Sequence, residues 1–273
     1  QVIQPLTEQP ELTPEPFSNF ITFGDSSVDV GNVFIGSGET FPPSPPYFEG
    51  RFSNGRVFVE LIAEELGLSA STSSLAGGDN YAFGGAELGD GTSAQETPNL
   101  GQQINSYLAG NTPTEDDLIF ISAGSNNNFQ AAENLPNPSD VVSLLTEHLT
   151  TLANAGAENF AVANIPPLGN APLISPENTT TVNTAISEYN TLLDTELDTL
   201  EDSLDIEIYE LDLNTTLQNI IDDPAAFDIT NVTDQALNTE TGEVVDNPNE
   251  FLFWDEIHPT ETVGEIIAQD ALE

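Results

Sequence analysis

A serine hydroxyl can attack an acyl carbonyl when a neighbouring base accepts its proton, and the sequence offers two histidines for that step. His258 follows Asp255 by three residues, so one turn would bring both side chains to the same side. Asp255 could then accept a hydrogen bond from one imidazole nitrogen and steady the imidazolium. The alternative is an aspartate at a helix start beside a packed histidine. The other histidine, His148, has polar helical neighbours and is interpreted as a residue on a helix surface.

The serine that could use this base is Ser26, in the Gly-Asp-Ser sequence of residues 24–26. It follows an apolar run, so its hydroxyl would stand at the corner between a strand and the next element. Backbone N–H groups at such a corner favour developing negative charge. The alternative is a helix N-cap, because serine and aspartate are preferred there.

Acyl transfer also needs hydrogen-bond donors for the oxyanion, and two later segments could supply them. Gly84 and Gly85 follow a short apolar run, and glycine lets the backbone approach a substrate closely. Asn126 follows another apolar run and carries a side-chain amide that could be a second donor. The alternatives are a plain tight turn at the glycines and an Asx turn at the asparagine.

Short apolar runs alternate along the chain with patterns of helical spacing, and this alternation predicts the elements that position those residues. Strands are predicted over residues 19–23, 80–83, 118–122, 159–164 and 206–211, and helices over residues 57–66, 141–153, 181–200 and 262–271. Strand-helix alternation predicts a doubly wound α/β domain, over residues 18–273, with a parallel sheet covered on both faces. Residues 1–17, rich in Pro, Gln and Glu, are predicted to form an extended arm. Chemistry in such sheets lies beyond the carboxyl ends of the strands, where Ser26, Gly85 and Asn126 fall.

The order of these segments resembles the SGNH/GDSL hydrolase family from about residue 19 to the end. The segments that carry the resemblance are FGDSSVDVGN (23–32), PPYFEGRFSNGRVFVELIAEELGL (45–68), NYAFGGA (80–86), AGSNNN (123–128), NIPPLGNAP (164–172) and FWDEIHPT (253–260). The resemblance implies a flavodoxin-like α/β/α sandwich with a five-stranded parallel sheet. Asn127 stands where the family usually has Asp, a departure expected to tune activity rather than abolish it.

The resemblance also implies roles for individual residues. It makes Ser26 the nucleophile, His258 the base and Asp255 the residue that orients the base. It implies an oxyanion hole formed by the Ser26 N–H, the Gly85 N–H and the Asn126 side chain. No metal and no organic cofactor is expected.

The charge of the chain restricts its partners. The 273 residues include 46 Asp and Glu against two Arg and no Lys, a formal net charge of −44. Two cations cannot neutralise a phosphate backbone, so nucleic acid is not an expected partner, and an anionic membrane surface is disfavoured for the same reason. No apolar run approaches the ~20 residues needed to cross a bilayer. The sequence predicts a monomer, secreted or extracellular, with a salt-adapted surface that binds cations only weakly and without specificity.

Two further features are open to more than one interpretation. Arg51 and Arg56 could bind a carboxylate, but structural ion pairs are favoured, such as Arg56 with Glu60 at the i,i+4 spacing. The proline-rich residues 41–47 could form one lip of an acyl groove or a rigid surface connection.

Taken together, these features predict a serine ester hydrolase that cleaves short- to medium-chain carboxylic esters, with a small-molecule or lipid substrate. One alternative is a lipid acyl hydrolase of the phospholipase or haemolysin type. The other is a catalytically idle, acidic extracellular binding protein.

Overall fold

A parallel sheet lies at the centre of the chain in the computed structural model, which describes Leu12, residues 17–128 and residues 135–272. Its strands pair in the order β1 (Asn19–Gly24), β2 (Asp117–Ser122), β3 (Asn159–Ala163) and β4 (Glu207–Leu211). All three pairings are parallel, so the four carboxyl ends meet at one edge. This confirms the predicted α/β fold.

Helices cover both faces of this sheet. They are α1 (Asn32–Gly36), α2 (Phe58–Glu65), α3 (Leu100–Leu108), α4 (Ser125–Asn128), α5 (Pro138–Ala155), α6 (Thr179–Leu204), α7 (Leu213–Asp222) and α8 (Glu261–Asp270). Short 3-10 helices occupy Ser74–Ala76, Leu168–Asn170, Pro176–Asn178, Pro224–Phe227 and Pro248–Glu250. In the described residues, no helix is long and apolar enough to cross a membrane.

Alternating side chains of the strands build two separate cores. Phe20 and Phe120 face one core, which receives the apolar sides of α2, α7 and α8. Ile21 and Phe23 face the other, which is closed by α3, α5 and α6. The result is three layers, helices on sheet on helices, as the sequence predicts.

The predicted apolar stripe of the long helix α6 is largely confirmed. Ile186, Tyr189, Leu193 and Leu197 are all buried in the second core, while Leu200 packs at its margin. The helix extends four residues beyond its predicted end and stops at Asp205, which has φ 55°. The stripe therefore fixes α6 against the sheet face opposite α7 and α8.

The prediction of a fifth strand at residues 80–83 is wrong, because this segment adds only an isolated bridge beside β1. Tyr81 and Phe83 donate N–H bonds to Thr22 and Gly24, as a parallel strand would. In a continued parallel ladder, the Gly24 N–H would donate back to the 80–83 segment. It donates instead to the Gln103 side chain of α3 at 2.9 Å. The Gln103 amide also donates to the Gly24 carbonyl at 2.8 Å, so this side chain takes the place of a peptide group and ends the ladder.

A small two-stranded sheet precedes the segment that contains Asp255 and His258. It pairs β5 (Asn231–Gln235) with β6 (Phe251–Phe253) in parallel, and β6 leads directly into Trp254 and Asp255. The segment after β6 turns back on itself, since the Trp254 N–H donates to the His258 carbonyl at 2.7 Å. Thr260 then precedes α8 as its N-cap, so the helix begins one residue before its predicted start at residue 262.

The predicted N-terminal arm, residues 1–17, lies outside the described residues apart from Leu12 and Phe17. Leu12 is buried in the core that contains α2, α7 and α8. Phe17 packs edge-on against Tyr209 of β4, with ring centroids 6.2 Å apart. These two side chains extend the core of the sheet toward the N-terminus.

Candidate active site

Three side chains predicted to act together lie in one chain of hydrogen bonds at the carboxyl edge of the sheet. His258 Nε2 lies 2.8 Å from Ser26 Oγ. On the other side of the ring, His258 Nδ1 lies 2.8 Å from Asp255 Oδ2 and 2.9 Å from Oδ1. An imidazole held in this way has one nitrogen on the carboxylate and the other directed at the hydroxyl. This is the geometry that proton transfer from a serine to a histidine requires.

The local backbone that joins Asp255 to His258 differs from the predicted helical turn. Asp255 Oδ1 accepts the N–H groups of Ile257 at 2.9 Å and His258 at 2.8 Å, which forms an Asx turn. No helix includes residues 254–259; α8 begins only at Glu261. The spacing brings the two side chains together, but the aspartate itself shapes the loop.

Tyr47 also supports the Asp255–His258 pair, although no pattern in the sequence identified it. Its hydroxyl donates to Asp255 Oδ2 at 2.7 Å. Its ring packs edge-on against Trp254 at 6.1 Å and Phe52 at 6.4 Å, and the Phe52 ring lies 5.2 Å from the His258 ring. The aromatic contacts therefore fix both members of the pair from the segment that contains residues 47–52.

The corner that carries Ser26 depends on the glycine before it. Gly24 has φ 152°, and a Cβ there would lie 2.1 Å from the Ser122 carbonyl oxygen. The chain turns at once, with the Asp25 N–H bonded to that carbonyl and the Ser27 N–H bonded to Asp25 Oδ1. Ser26 does not cap a helix, because α1 begins at Asn32, after Gly31. The Ser26 hydroxyl therefore has no capping role and is hydrogen-bonded to His258.

The structure separates the two glycines of the second segment by what their N–H groups contact. The Gly84 N–H donates to Asp29 Oδ2 at 2.9 Å. Among the described residues, the Gly85 N–H has no acceptor, and the same is true of the Ser26 N–H. Gly85 has φ 79°, a conformation that favours glycine. Two unengaged backbone donors thus accompany the serine hydroxyl.

The asparagines of α4 hold the third predicted donor in place. Asn126 Nδ2 donates to the Ala86 carbonyl at 2.8 Å, which leaves one N–H of that amide for another acceptor. Asn127 Oδ1 accepts the Leu88 N–H at 3.0 Å, and Asn128 Nδ2 donates to Gly124 at 2.9 Å. The residue that departs from the family pattern, Asn127, therefore fixes the loop after Gly85 through an acceptor that an aspartate would also offer.

The charges of the site are arranged around His258. Burial would raise the pKa of Asp255, but the positive charge of His258 and hydrogen bonds from His258 and Tyr47 lower it to about 2. Burial would lower the pKa of His258, but the charge and hydrogen bond of Asp255, with the charge of Asp25, raise it above its usual range. Burial raises the pKa of Asp25, whose Oδ2 has no partner among the described residues.

A small cavity of about 260 Å³, lined by Phe52, Arg56 and Phe58 among others, reaches Ser26. Two larger cavities also open there, and both are lined by Ser26, Asn126, Ile257 and His258. The first, called the inner pocket here, has about 750 Å³ of space including its opening, and its apolar walls are formed by Phe58, Leu168, Leu213, Leu217, Ile221, Phe253 and Ile267. The second, called the outer groove, has about 1160 Å³ of space including its opening. Its other lining residues are Val33, Gly36, Ser37, Phe41, Phe52, Phe83, Gly84, Gly85, Gln95, Glu96, Thr97 and Pro98. A substrate at Ser26 can therefore extend in two directions.

The remaining residues considered in the sequence have structural contacts. His148 lies in α5 as predicted, but it is half-buried and its Nε2 lies 2.6 Å from the Leu88 carbonyl oxygen. Both arginines form ion pairs, but the predicted pair of Arg56 with Glu60 is wrong. Arg51 pairs with Glu60 at 2.7 Å and Arg56 with Glu64 at 2.6 Å.

The proline-rich residues 41–47 lie between the outer groove and the Asp255 side chain. Phe41 lines the groove and is about half exposed, while Tyr47 contacts Asp255. The segment is thus a groove wall at one end and a support of the site at the other. In the described residues, no group of three His, Asp or Glu side chains could hold a metal ion.

The chain is similar to proteins of one known family. The family described as GDSL-like lipase/acylhydrolase matches residues 20–271. The thermolabile hemolysin of Vibrio parahaemolyticus is 26% identical over 96% of this chain, which spans 65% of the length of that relative. A GDSL esterase/lipase of Arabidopsis thaliana is 29% identical, with 92% of this chain and 85% of the relative covered.

A solved structure agrees in fold. A member of the lipolytic G-D-S-L family from Veillonella parvula superimposes with a TM-score of 0.53 at 16% identity, covering 93% of this chain and 96% of the other. Since the family match extends over nearly all of the described residues, the chain belongs to the GDSL-like lipase/acylhydrolase family.

Proposed function

We propose that the protein is a serine ester hydrolase that cleaves short- to medium-chain carboxylic esters through an acyl-enzyme on Ser26. The observation that carries the proposal is the hydrogen-bond chain from Ser26 Oγ through His258 to Asp255, at the point where two cavities meet. Family membership supports the same reaction class.

The proposal assigns each step of the reaction to a residue of this site. Ser26 Oγ attacks the acyl carbonyl as His258 Nε2 takes its proton, and Asp255 stabilises the imidazolium. The oxyanion receives hydrogen bonds from the Ser26 N–H, the Gly85 N–H and the remaining N–H of Asn126. His258 then gives the proton to the leaving alkoxide, and water, activated by the same nitrogen, releases the acid from Ser26.

Covalent labelling tests the proposal directly. A fluorophosphonate should add once per chain, and peptide mapping should place it on Ser26. The matched control is Ser27→Ala, which keeps the neighbouring nucleophile and should still be labelled, whereas Ser26→Ala should not. Absence of labelling in the folded wild-type protein would favour the alternative of a catalytically idle, acidic binding protein.

The second candidate function is a lipid acyl hydrolase, favoured by the apolar walls of the inner pocket and by similarity to the hemolysin. The two functions share the chemistry at Ser26 and differ in the physical form of the substrate. Rates on a soluble p-nitrophenyl butyrate and on zwitterionic phospholipid vesicles would separate them. Higher kcat/KM on the vesicles would select the lipid hydrolase.

The acid limb of the pH profile is expected to have its midpoint above the usual histidine value of 6.5. Only neutral His258 can accept the Ser26 proton, so activity is lost as the pH falls through the His258 pKa, which Asp255 raises. Asp255→Asn removes that negative charge and should move the midpoint to lower pH while lowering kcat. The check is kcat/KM on a p-nitrophenyl ester at constant ionic strength. A midpoint that Asp255→Asn leaves in place would contradict this assignment.

Tyr47→Phe is expected to lower kcat by about tenfold or more, because a hydrogen bond to a charged group is typically worth about 1.5–3 kcal/mol. Phenylalanine keeps the ring contacts with Trp254 and Phe52 but leaves Asp255 Oδ2 without this donor. Without this donor, the Asp255 carboxylate stabilises the protonated form of His258 more strongly. The midpoint of the acid limb should therefore rise.

Tyr81→Phe is the control for this experiment. Tyr81 is also half-buried among aromatic rings, and its hydroxyl contacts Asn111 rather than the site. It should leave kcat and the midpoint unchanged. An effect of Tyr47→Phe on KM alone would place Tyr47 in substrate binding instead of in positioning Asp255.

We also propose that the acidic surface is adapted to salt, as part of an extracellular, monomeric protein. The net charge is −44, and only two arginines oppose it. Repulsion between carboxylates is visible at half-buried Glu210 on β4. Burial and the neighbouring carboxylates raise its pKa to about 7; those neighbours are Asp194, Asp198, Glu201 and Asp212. Repulsion of this kind falls as salt shortens the Debye length from ~30 Å at 0.01 M to ~3 Å at 1 M.

The melting temperature and the activity should therefore both increase with NaCl into the molar range. Glu210→Gln removes one crowded carboxylate and should raise the melting temperature at low salt more than at high salt. Glu240→Gln, on an exposed loop, is the matched control with the same change of charge. A melting temperature that is flat or falls with NaCl would contradict salt adaptation.

A further inference from the structure

The two cavities at Ser26 differ in chemistry although they meet at the same four residues. Among the described residues, they share only Ser26, Asn126, Ile257 and His258 in their linings. They therefore lead away from the reacting groups along different paths. An ester has two sides, an acyl chain and an alcohol, and the two paths can be matched to them.

The inner pocket fits an unbranched aliphatic chain. Its far walls come from α7 and α8 through Leu217, Ile221 and Ile267, and from Phe58 and Phe253. Its polar groups are gathered at the end that carries Ser26, and no arginine lines it. An aliphatic chain placed here leaves water for an apolar surface, which is favourable in proportion to the area buried.

Among the described residues that line the inner pocket, the buried carboxyl of Asp25 is the one acidic group. The residue is 2% exposed, and its Oδ2 has no hydrogen-bond partner among the described residues. Burial raises the pKa of Asp25, so this wall is an unfavourable place for charge. An anionic substituent would have to leave water for this apolar wall with no arginine to pair with, whereas a neutral chain would not.

The outer groove is wider and offers polar contacts. Its lining includes side chains that can hydrogen-bond, among them Ser37, Gln95 and Thr97, together with the rings of Phe41 and Phe52. Phe41 and Gln95 are exposed, so this groove is open to water. A hydroxylated or otherwise polar alcohol can be solvated there, and it can diffuse away once it has been released.

We propose that the acyl chain of the substrate occupies the inner pocket and the alcohol occupies the outer groove. The substrates are then esters of unbranched aliphatic acids with polar alcohols. This assignment rests on the proposed function. It places the lip formed by residues 41–47 on the alcohol side, not on the acyl side.

The reaction is consistent with this placement. When the bond between the acyl carbon and the alcohol oxygen breaks, that oxygen takes the proton held on His258 Nε2, which lines both cavities. The alcohol leaves through the open groove while the acyl group stays bonded to Ser26 Oγ in the inner pocket. Water then enters by the vacated groove, gives a proton to His258 Nε2 and bonds to the acyl carbon. The bond between that carbon and Ser26 Oγ breaks, and His258 returns the proton to Oγ as the acid is released.

The test is a series of p-nitrophenyl esters, from acetate through butyrate and octanoate to laurate, on variants of one pocket residue. Ile221 is half-buried at the pocket wall, so it tolerates changes of size better than a core residue. Each buried methylene should raise kcat/KM by about fourfold until the pocket is full. Ile221→Trp should lower the octanoate-to-acetate ratio of kcat/KM at least tenfold, and Ile221→Ala should move the optimum to a longer chain.

Two further variants serve as controls. Asn219→Trp introduces the same side chain at an exposed position of α7 and should leave the profile unchanged. Gln95→Trp fills the outer groove and should alter the preference between ethyl and glyceryl butyrate while keeping the octanoate-to-acetate ratio. If Gln95→Trp lowers that ratio and Ile221→Trp does not, the acyl chain lies in the outer groove and the assignment is overturned.

Labelling keeps this outcome distinct from failure of the proposed function. Alkyl fluorophosphonates of increasing chain length should label wild-type Ser26 faster as the chain grows, and Ile221→Ala should extend that trend. This measurement also serves if Ile221→Trp does not fold. Labelling of Ser26 without any effect of chain length or of Ile221 would overturn the cavity assignment alone. Absence of labelling and of ester hydrolysis would overturn the proposed function.

Discussion

Replacing Ser26 by alanine is expected to lower kcat by several orders of magnitude, and replacing His258 by alanine should do the same. The hydroxyl and the imidazole are 2.8 Å apart and act as one unit, so loss of either removes the activated nucleophile. For the same reason the double variant should be little worse than either single one. The measurement is kcat on a p-nitrophenyl ester, with thermal melts to confirm folding.

The matched control for His258→Ala is His148→Ala. His148 contacts the Leu88 carbonyl, and its ring is not part of the hydrogen-bond chain at Ser26. Its replacement could cost some stability but should leave kcat nearly unchanged. Loss of turnover in His148→Ala together with activity in His258→Ala would show that the base has been assigned to the wrong histidine.

Asn126→Ala is expected to lower kcat by about 10²–10³, equivalent to about 2.7–4 kcal/mol of transition-state stabilisation. The amide that donates to Ala86 has one further N–H, and its removal takes one of three donors from the oxyanion. Because the negative charge on that oxygen develops only in the transition state, KM should change little.

Asn127→Asp is the control in the same helix, α4. An aspartate keeps an acceptor for the Leu88 N–H and restores the residue usual in the family, so kcat should stay close to wild type. If Asn126→Ala raised KM and left kcat unchanged, Asn126 would bind the ground state of the substrate and would have no part in stabilising the oxyanion.

The parts of the site formed by residues close in sequence could be predicted, whereas the contact between Tyr47 and Asp255 could not. The Gly-Asp-Ser corner and the Asp255–His258 spacing are local patterns, and the structure brings Ser26 to them at the carboxyl edge of the sheet. Tyr47 is 208 positions from Asp255, and no periodicity or spacing in the sequence connects the two. Its role became visible only when the fold placed the hydroxyl on the carboxylate.

Side chains that replace backbone contacts explain where the fold prediction failed. The apolar run at residues 80–83 has the composition of a strand, but Gln103 takes the Gly24 N–H that would have continued the ladder. Likewise, Glu60 was predicted to pair with Arg56, but one of its oxygens accepts the Val57 N–H and both contact Arg51. A long polar side chain has several partners within reach, and tertiary packing decides among them.

Asp29 joins two loops that are far apart in the chain. Its carboxylate accepts the N–H groups of Gly31, Asn32 and Val33 at the start of α1, and that of Gly84 beside the proposed oxyanion hole. All four amides therefore depend on one buried side chain. In hydrogen-deuterium exchange they would become accessible together, in a single opening event that involves both the turn after Ser26 and the glycine loop. Local order on the two sides of Ser26 is thus a shared property, and neither loop should loosen while the other keeps its full protection.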